Sequence, residues 1–499
     1  MSLTNGQSTV KTPTRPRVIV LGGGFAGLNA ALALGDMAVD VIVIDRQNHH
    51  TFQPLLYQVA VGVLSPADIS QPIRTVLRHN KNTEVLMDEV VGIDTAQQRV
   101  LLRSNAKIDY GYLIVGTGST HSYFGNDSWA HLAPGLKTLD DAREMRRRIM
   151  LAYELAEREA AETGSHPPLN FVIVGGGPTG VELAGAIRDI ASLYMREDYR
   201  HIDTTKSRVL LVEGGPHILA SYPEDLQAKA VEQLQELGVE IMTGKTVTDI
   251  QPGYVVIGKA PNTERFESLV TLWAAGVQAS PLGKMLGVPV NRRGAVTVDQ
   301  YLNPPGLRNV FVCGDLADVT ENGKPIPGVA QPAMQMGTQA AHMIEADLTG
   351  RPRKPFHYFD KGDMATIGRN RAVADVKWPF TAHWSGFLAW MSWLMVHIFF
   401  LVGFRNRILV MFQWAWTYLS LGHGTRLIMG NQNLPGWDAL VPDRVPVLQG
   451  PLDLASPPDA DPDEHVHPVD DTIPQRNTAK QNTAQLPNPA TTASGKASA

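Results

Sequence analysis

Twice in this chain an apolar run ends in G-x-G-x-x-G, and each repeat restricts the local fold severely. Arg17-Val18-Ile19-Val20-Leu21 leads into Gly22-Gly23-Gly24-Phe25-Ala26-Gly27. A continuous apolar run suits a parallel strand covered on both faces. A helix containing Ala30, Ala31 and Leu32 should follow, then a second strand, Val39–Ile44. The glycines have separate tasks: Gly22 permits a tight turn, Gly24 lets a pyrophosphate approach the backbone, and Gly27 lets helix and strand pack closely. Phe25 and Ala26 open the helix, whose free N–H groups face the phosphates. Asp45 ends the next strand, 23 residues after Gly22, a spacing that suits a carboxylate on a ribose hydroxyl. The competing reading is a glycine-rich turn that holds no ligand.

The pattern recurs about 150 residues later. Leu169–Val174 is apolar, and Gly175, Gly177 and Gly180 occupy the three glycine positions. The ribose carboxylate here is expected to be Glu213, at the end of Val209–Val212. It lies 38 residues after Gly175, against a usual spacing of about 20. The polar stretch Arg196–Ser207 reads as an insertion that accounts for the difference. No Arg or Lys closely follows Glu213, so a 2′-phosphate would meet a carboxylate, and NADH is expected over NADPH. Two cradles imply two nucleotides. The economical pair is FAD, held tightly and non-covalently, and NADH, passing through as substrate. Two further strands run into glycine turns: Tyr112–Val115 with Gly116 and Gly118, and Leu272–Trp273 with Ala275 and Gly276. Gly118 is expected on the FAD side, and Ala275 and Gly276 on the NAD side.

Composition removes several alternatives. Cys313 is the single cysteine, so a Cys-x-x-Cys redox pair and a cysteine metal site are excluded, and no metal site is expected. Val310–Cys313 reads as a buried strand with an inert thiol. The net charge of -5 gives no sign of nucleic-acid binding. Residues 1–16 contain no apolar run of signal-peptide length, so the nucleotide-binding part is expected to stay in the cytoplasm. Trp384–Phe404 spans 21 residues without Asp, Glu, Lys or Arg; Arg405-Asn406-Arg407 interrupts it, and Ile408–Thr425 is again free of those charges. Residues 451–499 contain no Phe, Trp or Tyr and are expected to be disordered.

Gly314-Asp315, at the end of Val310–Cys313, resembles the second FAD motif of the two-dinucleotide-domain flavoproteins. The resemblance implies that Asp315 holds the ribityl and phosphate portion. Ala330-Gln331-Pro332-Ala333-Met334-Gln335-Met336-Gly337 resembles the A-Q-x-A-x-Q-x-G quinone-site motif of the type II NADH:quinone oxidoreductases. The likeness to that family covers about residues 15–440. It implies an α/β fold of two Rossmann-like dinucleotide-binding domains, for FAD and NAD, plus a C-terminal membrane-anchoring helical region. The expected division is a disordered 1–16, FAD domain 17–140, inserted NADH domain 141–284, second FAD part with the quinone segment 285–349, anchor 350–449 and tail 450–499.

The resemblance also assigns roles. Gln331 and Gln335, four residues apart, share a helix face and would serve the quinone, unless they only satisfy backbone. Glu182 would sit near flavin and nicotinamide and help move protons to the quinone, unless it is only a helix-start acid favoured by the dipole. Phe52–Tyr57 resembles a segment flanking the flavin. The implied activity is hydride transfer from NADH to FAD, then two-electron reduction of menaquinone or ubiquinone without proton pumping. Disulfide reductases and sulfide:quinone oxidoreductases need cysteines that are absent. A soluble reductase of a protein carrier, or a non-catalytic NADH-binding protein, is the remaining rival. The expected location is the inner face of the cytoplasmic membrane, on a monotopic anchor at Trp384–Thr425, with a spanning helix as the alternative. Arg405, Arg407 and Arg426 would meet headgroups, and a homodimer stays open.

Overall fold

The fold rests on two parallel sheets, each grown from one glycine cradle. It was obtained as a computed structural model that describes residues 15–420 and 427–428. The expected disorder at 451–499 and the role of Arg426 lie outside those residues. So does most of the 1–16 segment.

In the first sheet the order is Val310–Val312, Tyr112–Val115, Arg17–Leu21, Asp40–Asp45 and Thr83–Met87, all parallel. Strand Arg17–Leu21 therefore has neighbours reached by connections of opposite direction. The crevice at its carboxyl end is the topological switch point where α/β sheets bind ligands. Its residues alternate between two buried layers, Val18 and Val20 into one, Ile19 and Leu21 into the other, which is why the run is apolar throughout.

The second sheet runs Val239–Met242, Arg208–Val212, Asn170–Val174 and Val270–Trp273, again parallel. Phe171 and Ile173 face one layer, Val172 and Val174 the other. The long connection before Glu213 is packed rather than loose. After helix Pro178–Asp189 come a π-helical turn, Ile190–Tyr194, and a short 3-10 turn, Thr204–Lys206. Arg188 donates to the carbonyls of Thr205 and Ser207, and Thr204 and Ser207 are buried. A two-stranded ribbon, Ser119–His121 with Val277–Ala279, joins the segments that leave the two sheets.

Two downstream elements lock onto the helices that follow the cradles. Helix Ala330–Leu348 lies across helix Phe25–Leu34, and a Cβ on Gly337 would overlap the Ala26 carbonyl oxygen. Strand Gly362–Gly368 lies across helix Pro178–Asp189, and a Cβ on Gly185 would overlap the Ile367 carbonyl oxygen. That strand pairs with Arg371–Val376, which pairs with Ala382–Ser385.

The charge-poor region differs from expectation in detail. Trp384 belongs to strand Ala382–Ser385, not to a helix. The apolar stretch then divides into helices Phe387–Phe400 and Phe404–Ser420, separated at Leu401–Gly403. Among the described residues, no helix is long and apolar enough to cross a membrane, so they supply no element for the spanning alternative. Phe387, Met391, Met395 and Phe399 are exposed along one face of the first helix, while Trp393 and Ala389 are buried. Leu409, Phe412 and Trp416 form a similar exposed stripe on the second.

The contact at Gly337 yields a prediction. Gly337→Val must push helix Ala330–Leu348 away from Ala26. Overpacking of this kind costs about 1–3 kcal/mol or more. Thermal unfolding should show a lowered Tm, and the purified variant should retain less flavin than the wild type; an unchanged Tm would mean that the two helices are not in close contact.

Candidate active site

The two cradles have the same construction. Gly22 and Gly175 have positive φ, +95° and +110°. A Cβ on Gly27 would overlap the Gly22 carbonyl oxygen, and one on Gly180 would overlap the Gly175 carbonyl oxygen. At Gly24 and Gly177, a Cβ would meet nothing within 4 Å. The middle glycines thus face open space at a helix N-terminus, where a pyrophosphate needs to come close.

The two acids also match. Asp45 accepts from the Gly23 N–H at 2.6 Å and from the Gln47 N–H at 2.7 Å. Glu213 accepts from the Gly176 and Gly215 N–H groups, both at 2.6 Å. Despite its longer sequence spacing, Glu213 sits beside its cradle as Asp45 does. Each carboxylate braces a glycine loop and stands at the end of the adjacent strand.

Asp315 lies in a third turn. Gly314, with φ +70°, packs against Ala333 at the start of helix Ala330–Leu348. The Asp315 carboxylate accepts from the Ser119 hydroxyl at 2.6 Å and lies 3.7 Å from the Lys137 ammonium. Lys137 also donates to Ser119 at 3.0 Å. Gly118 has φ +65° and open space at its Cβ position. Gly276, with φ +75°, backs onto the Phe124 ring next to Ala275.

The glutamines differ. Gln335 is committed to backbone: its amide donates to the Phe359 carbonyl at 3.0 Å and accepts from the Phe359 N–H at 2.9 Å. Gln331 donates to the Gly362 carbonyl at 3.0 Å, but its own buried oxygen has no partner. Thr117 Oγ1 and His50 Nε2 are also buried without partners. Buried polar atoms are normally satisfied, so these orphans mark places where a polar ligand fits. The open first cradle and the orphaned atoms Thr117 Oγ1 and His50 Nε2 fit FAD.

Glu182 lies on the face of helix Pro178–Asp189 that meets strand Gly362–Gly368. Burial raises its pKa well above the usual carboxylate range, against a backbone hydrogen bond from Thr366. Gln331 touches the same strand at Gly362, four residues from Thr366. One strand thus contacts both the amide and the acid, at points about 13 Å apart along it. Tyr57, from the segment Phe52–Tyr57, is buried nearby; burial, and secondarily Glu182, raises its pKa. Gln58 donates to the Tyr57 hydroxyl at 2.9 Å and accepts from the Trp414 indole at 2.8 Å. Sequence reasoning missed Gln58, Asp189, Thr366 and Trp414. Only Asp189 carried a signal, seven residues from Glu182 and hence on the same helix face.

Among the described residues no group of His, Cys, Asp and Glu could hold a metal ion. Cys313 is fully buried, with its thiol pKa raised by desolvation.

Residues 16–337 match the pyridine nucleotide-disulphide oxidoreductase family, whose two-nucleotide architecture the sheets and cradles reproduce. Residues 361–421 match the NDH2 C-terminal domain. The chain is 43% identical over 437 residues to the type II NADH:quinone oxidoreductase Ndh of Mycobacterium tuberculosis, covering 85% of this chain and 93% of that protein. It is 41% identical to NdhA of the same organism, covering 86% and 92%. This chain belongs to the type II NADH:quinone oxidoreductase family. The fold is also that of NDH2 from Plasmodium falciparum in complex with NADH, with a TM-score of 0.74 at 19% identity, covering 83% of this chain and 100% of that one. A sulfide:quinone oxidoreductase from Aquifex aeolicus shares the fold with a TM-score of 0.65 at 18% identity, covering 82% and 96%.

The position of Glu213 yields a prediction about nucleotide choice. Glu213→Gln keeps the side-chain length but removes the charge that would face a 2′-phosphate. The ratio of kcat/KM for NADH to that for NADPH should fall, chiefly by loss with NADH. An unchanged ratio would move the ribose contact to another residue.

Proposed function

We propose that this chain is a flavoprotein that takes hydride from NADH and reduces a quinone at a membrane surface, without moving protons across it. The observation that carries this reading is the strand Gly362–Gly368, which contacts both Gln331, with its unpartnered amide oxygen, and the half-buried acid Glu182. Family membership and the doubled cradle support it.

FAD, when bound, supplies the hydride-accepting ring that no side chain provides. The protein's residues do the rest. Gly175, Gly177 and Gly180 receive the NADH pyrophosphate, Glu213 receives the ribose, and Ala275 and Gly276 border the nicotinamide. Gln331 offers the quinone a neutral hydrogen-bonding amide, which orients a carbonyl without adding charge. Gln335, already paired with Phe359, holds the segment in place and is the weaker candidate for quinone contact. Glu182, whose pKa desolvation raises, is placed to give a proton to the developing quinol.

Stopped-flow spectroscopy separates the two half-reactions. Gln331→Ala should leave reduction of the flavin by NADH nearly intact and slow its reoxidation by quinone. Loss of one neutral hydrogen bond costs about 0.5–1.5 kcal/mol, so a several-fold effect is expected. A normal quinone step with an impaired NADH step would refute the assignment. No NADH-dependent quinone reduction by the flavin-loaded wild type would refute the function.

The exposed apolar stripes support monotopic docking through helices Phe387–Phe400 and Phe404–Ser420. A lipid-soluble quinone requires such contact, and access to NADH favours the inner face of the cytoplasmic membrane. Leu388 and Met395 are 69% and 70% exposed. An apolar side chain of this size contributes about 1.5–3 kcal/mol when fully buried. The double substitution Leu388→Glu/Met395→Glu should therefore lower liposome partitioning at least about tenfold, while turnover of a soluble quinone analogue is retained. Cosedimentation equal to the wild type would place the membrane contact elsewhere.

A further inference from the structure

A cavity of about 110 Å³ lies between helix Pro178–Asp189 and the two apolar C-terminal helices. Glu182, Ala186 and Asp189 line it from the first helix. They stand at positions i, i+4 and i+7, so they share one face. The acids are two turns apart, about 10 Å along the axis. Trp393, on the far wall, is 1% exposed, and its indole N–H has no partner. The hydrogen-bonded row of Tyr57, Gln58 and Trp414 also borders the space. A cavity of this size has room for several waters, and Glu182, Asp189 and the Trp393 indole offer them polar partners within a largely apolar lining. Beyond Asp189 the helix widens into the π-helical turn Ile190–Tyr194, a departure often found at functional sites.

Reduction of a quinone by NADH balances as NADH + H⁺ + quinone → NAD⁺ + quinol. The hydride carries two electrons and one proton, so each turnover draws one further proton from water. We propose that this cavity is the inlet for that proton: Asp189 takes it at one end, water carries it past Ala186, and Glu182 passes it to the quinone oxygen and is reloaded. The inference rests on the quinone-reduction reading above and adds a route to it.

The surroundings of both acids suit this use. Asp189 accepts from the Arg369 N–H at 2.7 Å. Burial pushes its pKa up to about 6, against the backbone hydrogen bond from Arg369 and the charges of Arg371, Arg369 and Arg188. Tyr194 and Tyr57 also face it, and their own pKa values are raised chiefly by burial. Asp189 therefore exchanges protons close to neutral pH. Glu182 is faced by Tyr57, Tyr222 and the Thr366 backbone, and desolvation raises its pKa.

The test uses the FAD-loaded full chain in stopped flow. Asp189→Asn keeps the shape and the Arg369 contact but cannot carry a proton. It should leave flavin reduction by NADH unchanged and slow the quinone step about tenfold or more at about pH 8, and less at about pH 6. Added acetate should restore part of the rate. Ala186→Leu, which fills the void, should slow the same step without rescue by acetate. A wild-type quinone step in Asp189→Asn overturns the proposal, as does an equal loss at every pH with no rescue. Should Asp189→Asn fail to retain FAD, Ala186→Leu decides: a normal quinone step overturns the inlet. Glu182→Gln separates the two levels. If it alone slows the quinone step, the inlet is wrong and the function stands; if the wild type has no quinone step, the function itself falls.

Discussion

The architecture depends on backbone-to-backbone contact at two helix glycines, Gly337 and Gly185. At each, a downstream segment rests on or against a helix that follows a phosphate cradle, with no side chain between them. Gly337 lets helix Ala330–Leu348 touch Ala26, inside the first cradle. That contact sets Gln331 at the helix start and places Ala333 against the Gly314-Asp315 turn. Gly185 lets strand Gly362–Gly368 touch helix Pro178–Asp189, which sets Thr366 against Glu182. Because Gln331 also bonds Gly362, the two contacts are coupled through one strand. A Cβ at either position would separate layers that other residues assume to be touching. Close-packed interiors relax only partly around such an insertion, so an error far from the chemistry would reach Gln331 and Glu182 together.

The second theme is repetition with different use. Both cradles use the same three glycines and the same acid at the neighbouring strand end, and both acids already brace their loops through short backbone bonds. A loop held in this way loses little freedom when phosphate arrives. The two units diverge only in what lies against them. The first is capped by Asp315, Ser119 and Lys137, a polar cluster that suits a resident nucleotide. The second carries Glu182 to the edge of a cavity, where desolvation raises the pKa of its carboxyl group.

Much of this was legible in the sequence because the relevant patterns are local. An apolar strand, three glycines and a strand-end acid occupy a short window, and the period-2 burial of Val18–Leu21 follows from it. Glu213 was legible in type, and its long spacing was legible as an insertion at Arg196–Ser207; what the sequence does not say is that Arg188 holds that insertion through the carbonyls of Thr205 and Ser207. Gln331 and Gln335 look equivalent in the motif. Only the path of Phe359–Gly362, many residues later, satisfies one amide fully and the other in part. The cavity beside Glu182 was invisible for the same reason: its walls come from segments beginning near Tyr57, Glu182, Thr366 and Trp390. Asp189 was the exception, since helical periodicity alone places it on the Glu182 face.

The charge-poor region shows where composition misleads and why. Counting uncharged residues from Trp384 gives a stretch long enough to span a bilayer, yet polar contacts pin its middle to the body of the protein. Gly403 has φ +90° and packs against Gln71, and Asn406 donates to the carbonyls of Ala67 and Ser70. Arg407 donates to the Leu401 carbonyl at 2.7 Å, satisfying the end of the first helix. Arg407 is thus partly committed inward; the side chain of Arg405 lies outside the described set. A helix running straight through this point would have to break those bonds and bury Asn406 and Arg407 in hydrocarbon. Two short helices instead turn their indoles inward at Trp393 and Trp414 and leave Phe387, Met395, Phe399, Phe412 and Trp416 outside. Among the described residues, Asn406, Arg407 and Trp414 direct polar atoms to the protein, while Phe387, Met395, Phe399, Phe412 and Trp416 face away from it. Lipid tails can cover such a face without any polar group crossing them.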